Sequence, residues 1–196
     1  MLATLPVIAD ASVIYCTDFD ADDGGWVATS DWDPAGDWAW TADYDVGDYT
    51  GGHNPPPAAY SGTGLWGTVI DGDYTNAEGS SWLSQTFDLT GITDLELEFA
   101  SWAEIDYPTD TATLYINGDV VYERTTSDVP SDWDFVTIDM SAYDGMASVE
   151  IMFELYASAA DGRAGWYVDD ICITGIPAPA TLAVLGLAGL ARRRRR

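Results

Sequence analysis

The chain has no lysine, one histidine and two cysteines among its 196 residues. Each shortage removes a class of function. All seven basic residues are arginine, and five of them form the terminal run Arg192, Arg193, Arg194, Arg195 and Arg196. Residues 1–191 therefore set only Arg124 and Arg163 against 33 Asp and Glu. Phosphate binding needs a basic footprint, so nucleic acid is not an expected partner. With His53 as the lone histidine, no His/Cys zinc set can be assembled. No G-x-S-x-G elbow accompanies His53, so no Ser/His nucleophile is in view. Two cysteines permit one bridge and exclude a disulfide-dense scaffold. The apolar run from Ala180 to Ala191 falls short of the ~20 residues of an ordinary membrane span.

What remains is apolar, aromatic and acidic. The chain is 47% hydrophobic and 13% aromatic, too rich in core formers for a disordered acidic polymer. Its acidity fits solubility in a salty exterior, where screening weakens self-repulsion, and it fits binding of divalent cations.

Short alternating stretches dominate the body. "LELEF" sets Leu95, Leu97 and Phe99 against Glu96 and Glu98. "VEIMFEL" sets Val149, Ile151, Phe153 and Leu155 against Glu150 and Glu154. "TATLYINGDVVYE" reads as a hairpin turning at Asn117-Gly118, where positive φ is tolerated. "WDFVTIDM" and "GWYVDDICIT" add two strands. One-sided alternation favours an antiparallel sandwich over a parallel sheet covered on both faces. Residues 31–80 read as a long irregular segment, rich in Gly, Asp and Pro. Trp32, Trp38, Trp40 and Trp66 within it need burial or a ligand. In the last strand, Asp169 and Asp170 sit between Val168 and Ile171, where burial makes an unpaired carboxylate costly.

The ends read as addresses. "IPAPATLAVLGLAGLARRRRR", residues 176–196, resembles the PEP-CTERM sorting signal of exported bacterial proteins: Pro177-Ala178-Pro179, a short apolar helix, then Arg192–Arg196. The family usually has Glu between the prolines, where this chain has Ala178. The resemblance implies transient membrane anchoring, with the arginines on the cytoplasmic side, and processing by an exosortase-type enzyme. "MLATLPVIADASV" reads as the remnant of a signal peptide over residues 1–11.

The order of "YCTDFDADDGGW", "YSGTGLWGTVIDGDYTNAEGSSWLSQTFDLTG", "LELEFASWAEID", "DTATLYINGD" and "AGWYVDDICITG" resembles the MAM-like and choice-of-anchor modules of secreted bacterial proteins. The resemblance covers residues 12–175. It implies an all-β, two-sheet antiparallel jelly-roll sandwich, here followed by a short C-terminal hydrophobic helix. It also implies a structural calcium site and no catalysis by the module itself. MAM domains proper carry two disulfides, which two cysteines cannot supply. A jelly roll makes its first and last strands neighbours. Asp18, Asp20, Asp22 and Asp23 then approach Asp169 and Asp170 and can share a Ca²⁺ ion, or form a solvated acidic edge. Cys16 and Cys172 come together in the same way, as a disulfide or as free buried thiols.

The leading expectation is a non-enzymatic, calcium-stabilised protein of the cell surface or extracellular matrix with a structural or adhesive role. The alternative is a carbohydrate-binding module contacting extracellular polysaccharide, with Trp38, Trp40, Trp66 or Trp102 lining a groove. A remoter alternative is a glycoside hydrolase using Glu104 and Asp106, which share one strand face.

Overall fold

The computed structural model describes residues 10–32 and 37–178. Within them the chain is all-β, with eleven strands in two antiparallel sheets. The strands are β1 (Ser12–Thr17), β2 (Val27–Ser30), β3 (Trp38–Thr41), β4 (Leu65–Thr68), β5 (Gly79–Phe87), β6 (Ile92–Glu104), β7 (Thr111–Ile116), β8 (Asp119–Glu123), β9 (Asp134–Asp139), β10 (Val149–Ala157) and β11 (Gly165–Pro177). The first sheet runs β3-β4-β11-β6-β9, and β1 also pairs with β11. The second runs β2-β5-β10-β7-β8.

Strand alternation builds the core. Val149, Ile151, Phe153 and Leu155 of β10 are fully buried, as are Leu97 and Phe99 of β6 and Trp166, Val168, Ile171 and Ile173 of β11. Between the sheets the Phe153 ring meets Phe99 and Trp166 edge-on, at centroid distances of 5.2 and 5.3 Å. The β7–β8 hairpin turns where the alternation breaks, with φ of 49° at Asn117 and 84° at Gly118. Positive φ at both positions matches the twist of the flanking strands.

β11 is the hub. One side pairs along β6; the other is shared, with Tyr167 and Val168 facing β4 and Ile171–Gly175 facing β1. The first and last strands are thus adjacent. Cys16 pairs directly with Cys172, and the two form a disulfide.

Three strands are too short to be read from alternation. β2, β3 and β4 are four residues each. All four residues of β4 are buried, so it shows no alternation. The reason is a second covering layer: the chain from Ala42 to Gly64 folds back over the outer face of the first sheet. There Tyr44, Leu65, Trp102, Ala164 and Tyr167 form a small cluster of their own. The stretch expected to be irregular therefore contributes two short strands, β3 and β4, with the cover between them. The anticipated C-terminal helix, Pro179 and Arg192–Arg196 lie outside the described residues, as do residues 1–9 of the expected signal remnant. Pro177 ends β11, and the Ala178 N–H donates to the Gly91 carbonyl at 2.6 Å.

Candidate functional site

The covering loop is held by its own polar groups, because a loop lying on a sheet has no ladder to join. The Tyr44 N–H donates to the Thr63 carbonyl at 2.8 Å, and the Tyr44 hydroxyl to the Pro56 carbonyl at 2.8 Å. Glu104, on the outer face of β6, accepts from the Asn54 backbone at 2.5 Å and from its side-chain amide at 3.3 Å. The Trp102 and Trp133 indoles donate to the Asn54 and Ala58 carbonyls at 3.0 and 3.1 Å. His53 Nδ1 lies 3.0 Å from Asp73, which also takes the Tyr49 hydroxyl and the Gly52 N–H. Burial pushes the Asp73 carboxyl up, but those three bonds together hold it below the usual range. His53 is thus a loop anchor.

The six aspartates expected to cage calcium have other partners. Asp20 Oδ1 accepts the Thr63 and Gly64 N–H groups, both at 2.7 Å, and these bonds hold its carboxyl below the ordinary value. Asp22 and Asp23 cap the Gly24 and Gly25 N–H groups of their own turn at 2.9 and 2.8 Å. Asp18 accepts from the Asp20 N–H at 3.3 Å. Asp169 is fully buried, and its Oδ2 accepts the Tyr60 and Ser61 N–H groups at 2.9 and 3.2 Å. Burial raises its carboxyl to about 7 against the pull of these donors. Asp170, at φ 48°, swings out at a break in the β11–β6 register and accepts the Ser61 hydroxyl at 2.7 Å. Among the described residues no three His, Cys, Asp or Glu side chains are placed to hold one ion. As placed, the six aspartates do not come together as one ligand set.

The tryptophans also differ from expectation. Trp38, Trp66 and Trp102 are 2, 6 and 4% exposed, and the half-buried Trp40 donates to the Phe19 carbonyl. They fill the core and the cover rather than line a groove. Glu104 and Asp106 do not act as a pair either: Glu104 holds Asn54, while Asp106 binds Arg163 at 3.1 Å.

The open site lies where the cover ends. Beyond Ser61 the outer face of the first sheet is bare, and a pocket of about 450 Å³ opens there. The disulfide, Thr17, Asp18, Ser61, Glu98, Phe135 and Asp170 line it. Phe135 is 53% exposed and stacks with Tyr60, 44% exposed, at a centroid distance of 6.1 Å. Trp133 meets Tyr60 edge-on at 6.2 Å and Trp102 at 6.2 Å, which ties the exposed rings to the covered cluster. Asp18, Asp170, Cys16 and Cys172 stand out in the sequence; Thr17, Tyr60, Ser61, Glu98 and Phe135 do not stand out there as a site. One signal is present: in "WDFVTIDM" the inward residues are Val136 and Ile138, so Phe135 is an aromatic ring on the solvent side of its strand.

No protein-family model matches the chain. Bacillopeptidase F of Bacillus subtilis (strain 168) is 27% identical over 172 residues, which cover 86% of this chain and 11% of that protein. The chain thus spans about a tenth of that relative. Among solved structures, the K2 cleaved adhesin domain of Lys-gingipain superposes with a TM-score of 0.50 at 16% identity, over 82% of this chain and 98% of that one. The K1 domain of the Porphyromonas gingivalis W83 protein gives 0.50 at 13% identity, over 84% and 97%. A carbohydrate-binding module solved with β-1,4-galactotriose gives 0.48 at 16% identity, over 76% and 87%. The two adhesin-domain likenesses establish a shared β-sandwich fold.

Proposed function

We propose that this chain is a non-enzymatic glycan-binding module of an exported protein, and that the pocket beside Phe135 is its binding site. The observation that carries the reading is one exposed stacked pair, Phe135 and Tyr60, bordering a pocket that also holds Asp18, Glu98 and Asp170. A sugar ring has an apolar face and a rim of hydroxyl donors. The rings offer the face a platform, and carboxylates accept only, so they suit the rim. The volume falls within the range of small-ligand sites. The rigid sheet and the disulfide floor fix the geometry before any ligand arrives, which lowers the ordering cost of binding.

Export is part of the same proposal. The PEP-CTERM-like tail supports surface or extracellular placement after processing. The adhesive role expected first is compatible with this reading, since adhesion to a polysaccharide is glycan binding. Calcium enters only as a variable to control. Calorimetric titration with a panel of neutral oligosaccharides, with and without EDTA, tests the reading. At least one is expected to bind, and Phe135→Ala and Tyr60→Ala should each weaken it about tenfold, the worth of one aromatic contact. Failure of the whole panel to bind overturns the glycan reading in favour of a purely structural role.

A further inference from the structure

The second sheet turns a different surface to solvent. The outward positions of β5, β10 and β7 hold Trp82, Met152, Glu154, Tyr156 and Tyr115, all half-buried. The register sets Glu154 between Trp82 and Thr113, and Met152 between Ser84 and Tyr115. A solvent-facing sheet face is usually polar. Here three aromatic rings and a methionine share one open face whose core side is already filled. The Trp82 indole N–H donates to Glu154 Oε1 at 3.0 Å, which fixes the ring beside the carboxylate. The Tyr156 hydroxyl reaches Glu78 at 3.4 Å. Burial pushes the Tyr115 hydroxyl up, and the neighbouring Glu154 and Glu123 carboxylates add to it.

No cation of the chain answers these carboxylates among the described residues. Arg124 is engaged by Asp134 and the Asp128 carbonyl, Arg163 by Asp106 and Asp161, and His53 by Asp73. Glu78, Glu123, Glu150 and Glu154 thus lie on or beside the aromatic face without ion pairs. An ammonium group fits such a face twice over, through the carboxylate and through the ring faces. An extended peptide fits it poorly. The face lies over β5, β10 and β7, the three inner strands of the sheet, so a chain seated on it meets no strand edge that could add main-chain hydrogen bonds. A sugar ring needs no such edge, because it brings its own hydroxyls and a flat apolar face.

We infer that the outer face of the second sheet is a separate binding surface for glycan chains that carry free amino groups. This surface is independent of the Phe135 pocket, which lies on the opposite sheet.

The test is calorimetric titration of the chain with a glucosamine oligosaccharide bearing free amines and with its N-acetylated counterpart of equal length. The free-amine chain should bind about tenfold tighter, and added NaCl should weaken it. Glu154→Gln keeps an acceptor for Trp82 and should melt like the parent, yet lose about tenfold in affinity. Trp82→Ala should lose a similar factor; if it does not fold, Glu154→Gln decides. Equal binding of the acetylated chain overturns the inference. So does unchanged affinity in Glu154→Gln, or a loss confined to Phe135→Ala, which places the ligand on the first sheet. Polylysine competing at equal affinity also overturns it, in favour of a basic peptide.

Discussion

Asp169 shows how one residue couples burial to pH. Its carboxyl is fully buried under the covering loop and titrates at about 7, raised by desolvation. The folded state therefore holds this proton over a range where the unfolded chain has released it. Below about 4 both states are protonated and the raised value costs nothing. As pH rises from about 4 to about 7 the group subtracts stability, and above about 7 the loss is complete. Asp169→Asn removes that slope. Thermal melts of both proteins from pH 4 to 8 should show the variant gaining on the parent as pH rises, then running parallel to it. A constant difference across the range would contradict the assignment. Tyr60 and Ser61 donate to this same carboxylate, so the residue that stores the pH dependence also positions the exposed ring of the proposed site.

At the scale of elements, the covering loop and the β1–β11 pair decide whether the site exists. Gly64 is the loop glycine pressed against main chain: a Cβ there would stand 2.2 Å from the Phe19 carbonyl oxygen. That carbonyl is backbone, so it cannot yield cheaply. Gly64→Ala should cost about 1–3 kcal/mol, read as a lowered denaturation midpoint, with increased exposure of Trp102 by fluorescence. The β1–β11 pair is closed by the disulfide across a sequence separation of 156 residues. Chain-entropy arguments assign about 4–5 kcal/mol to a loop of that length. A Cys16→Ser, Cys172→Ser variant should lose stability of that order. A loss below about 1 kcal/mol would mean that residual structure already restrains the reduced, unfolded chain.

For the whole molecule, charge outweighs every other compositional feature. Outside the last five residues, two arginines face 33 carboxylates, and both arginines are already in ion pairs. Mutual repulsion destabilises the compact state, and salt screens it. Added NaCl should raise the melting temperature steadily. Calcium chloride at equal ionic strength is the sharper comparison: a rise beyond the NaCl value would show that calcium binds the folded chain. The tail makes a further whole-chain prediction. Protein recovered outside its native host cell should have an intact mass lacking Arg192–Arg196; finding them there overturns the sorting proposal.

The sequence by itself determined the class of fold. Period-two alternation in β6, β7 and β10 and the Asn117-Gly118 turn are local signals, each written within ten or so residues, and they specify half-buried antiparallel strands whatever their partners. The sequence also determined the charge and the scarcity of histidine and cysteine, which are counts. The tertiary structure alone decided the site. Burial of all four β4 residues, engagement of Asp20 and Asp169 by a distant loop, and the bare step beside Phe135 all depend on where residues 42–64 lie. That placement joins groups about 20 to 110 positions apart, and no local pattern encodes it. Hydrophobicity told that Trp38 and Trp66 needed burial or a ligand; only the packing told that they were buried, and that the exposed rings were Tyr60 and Phe135.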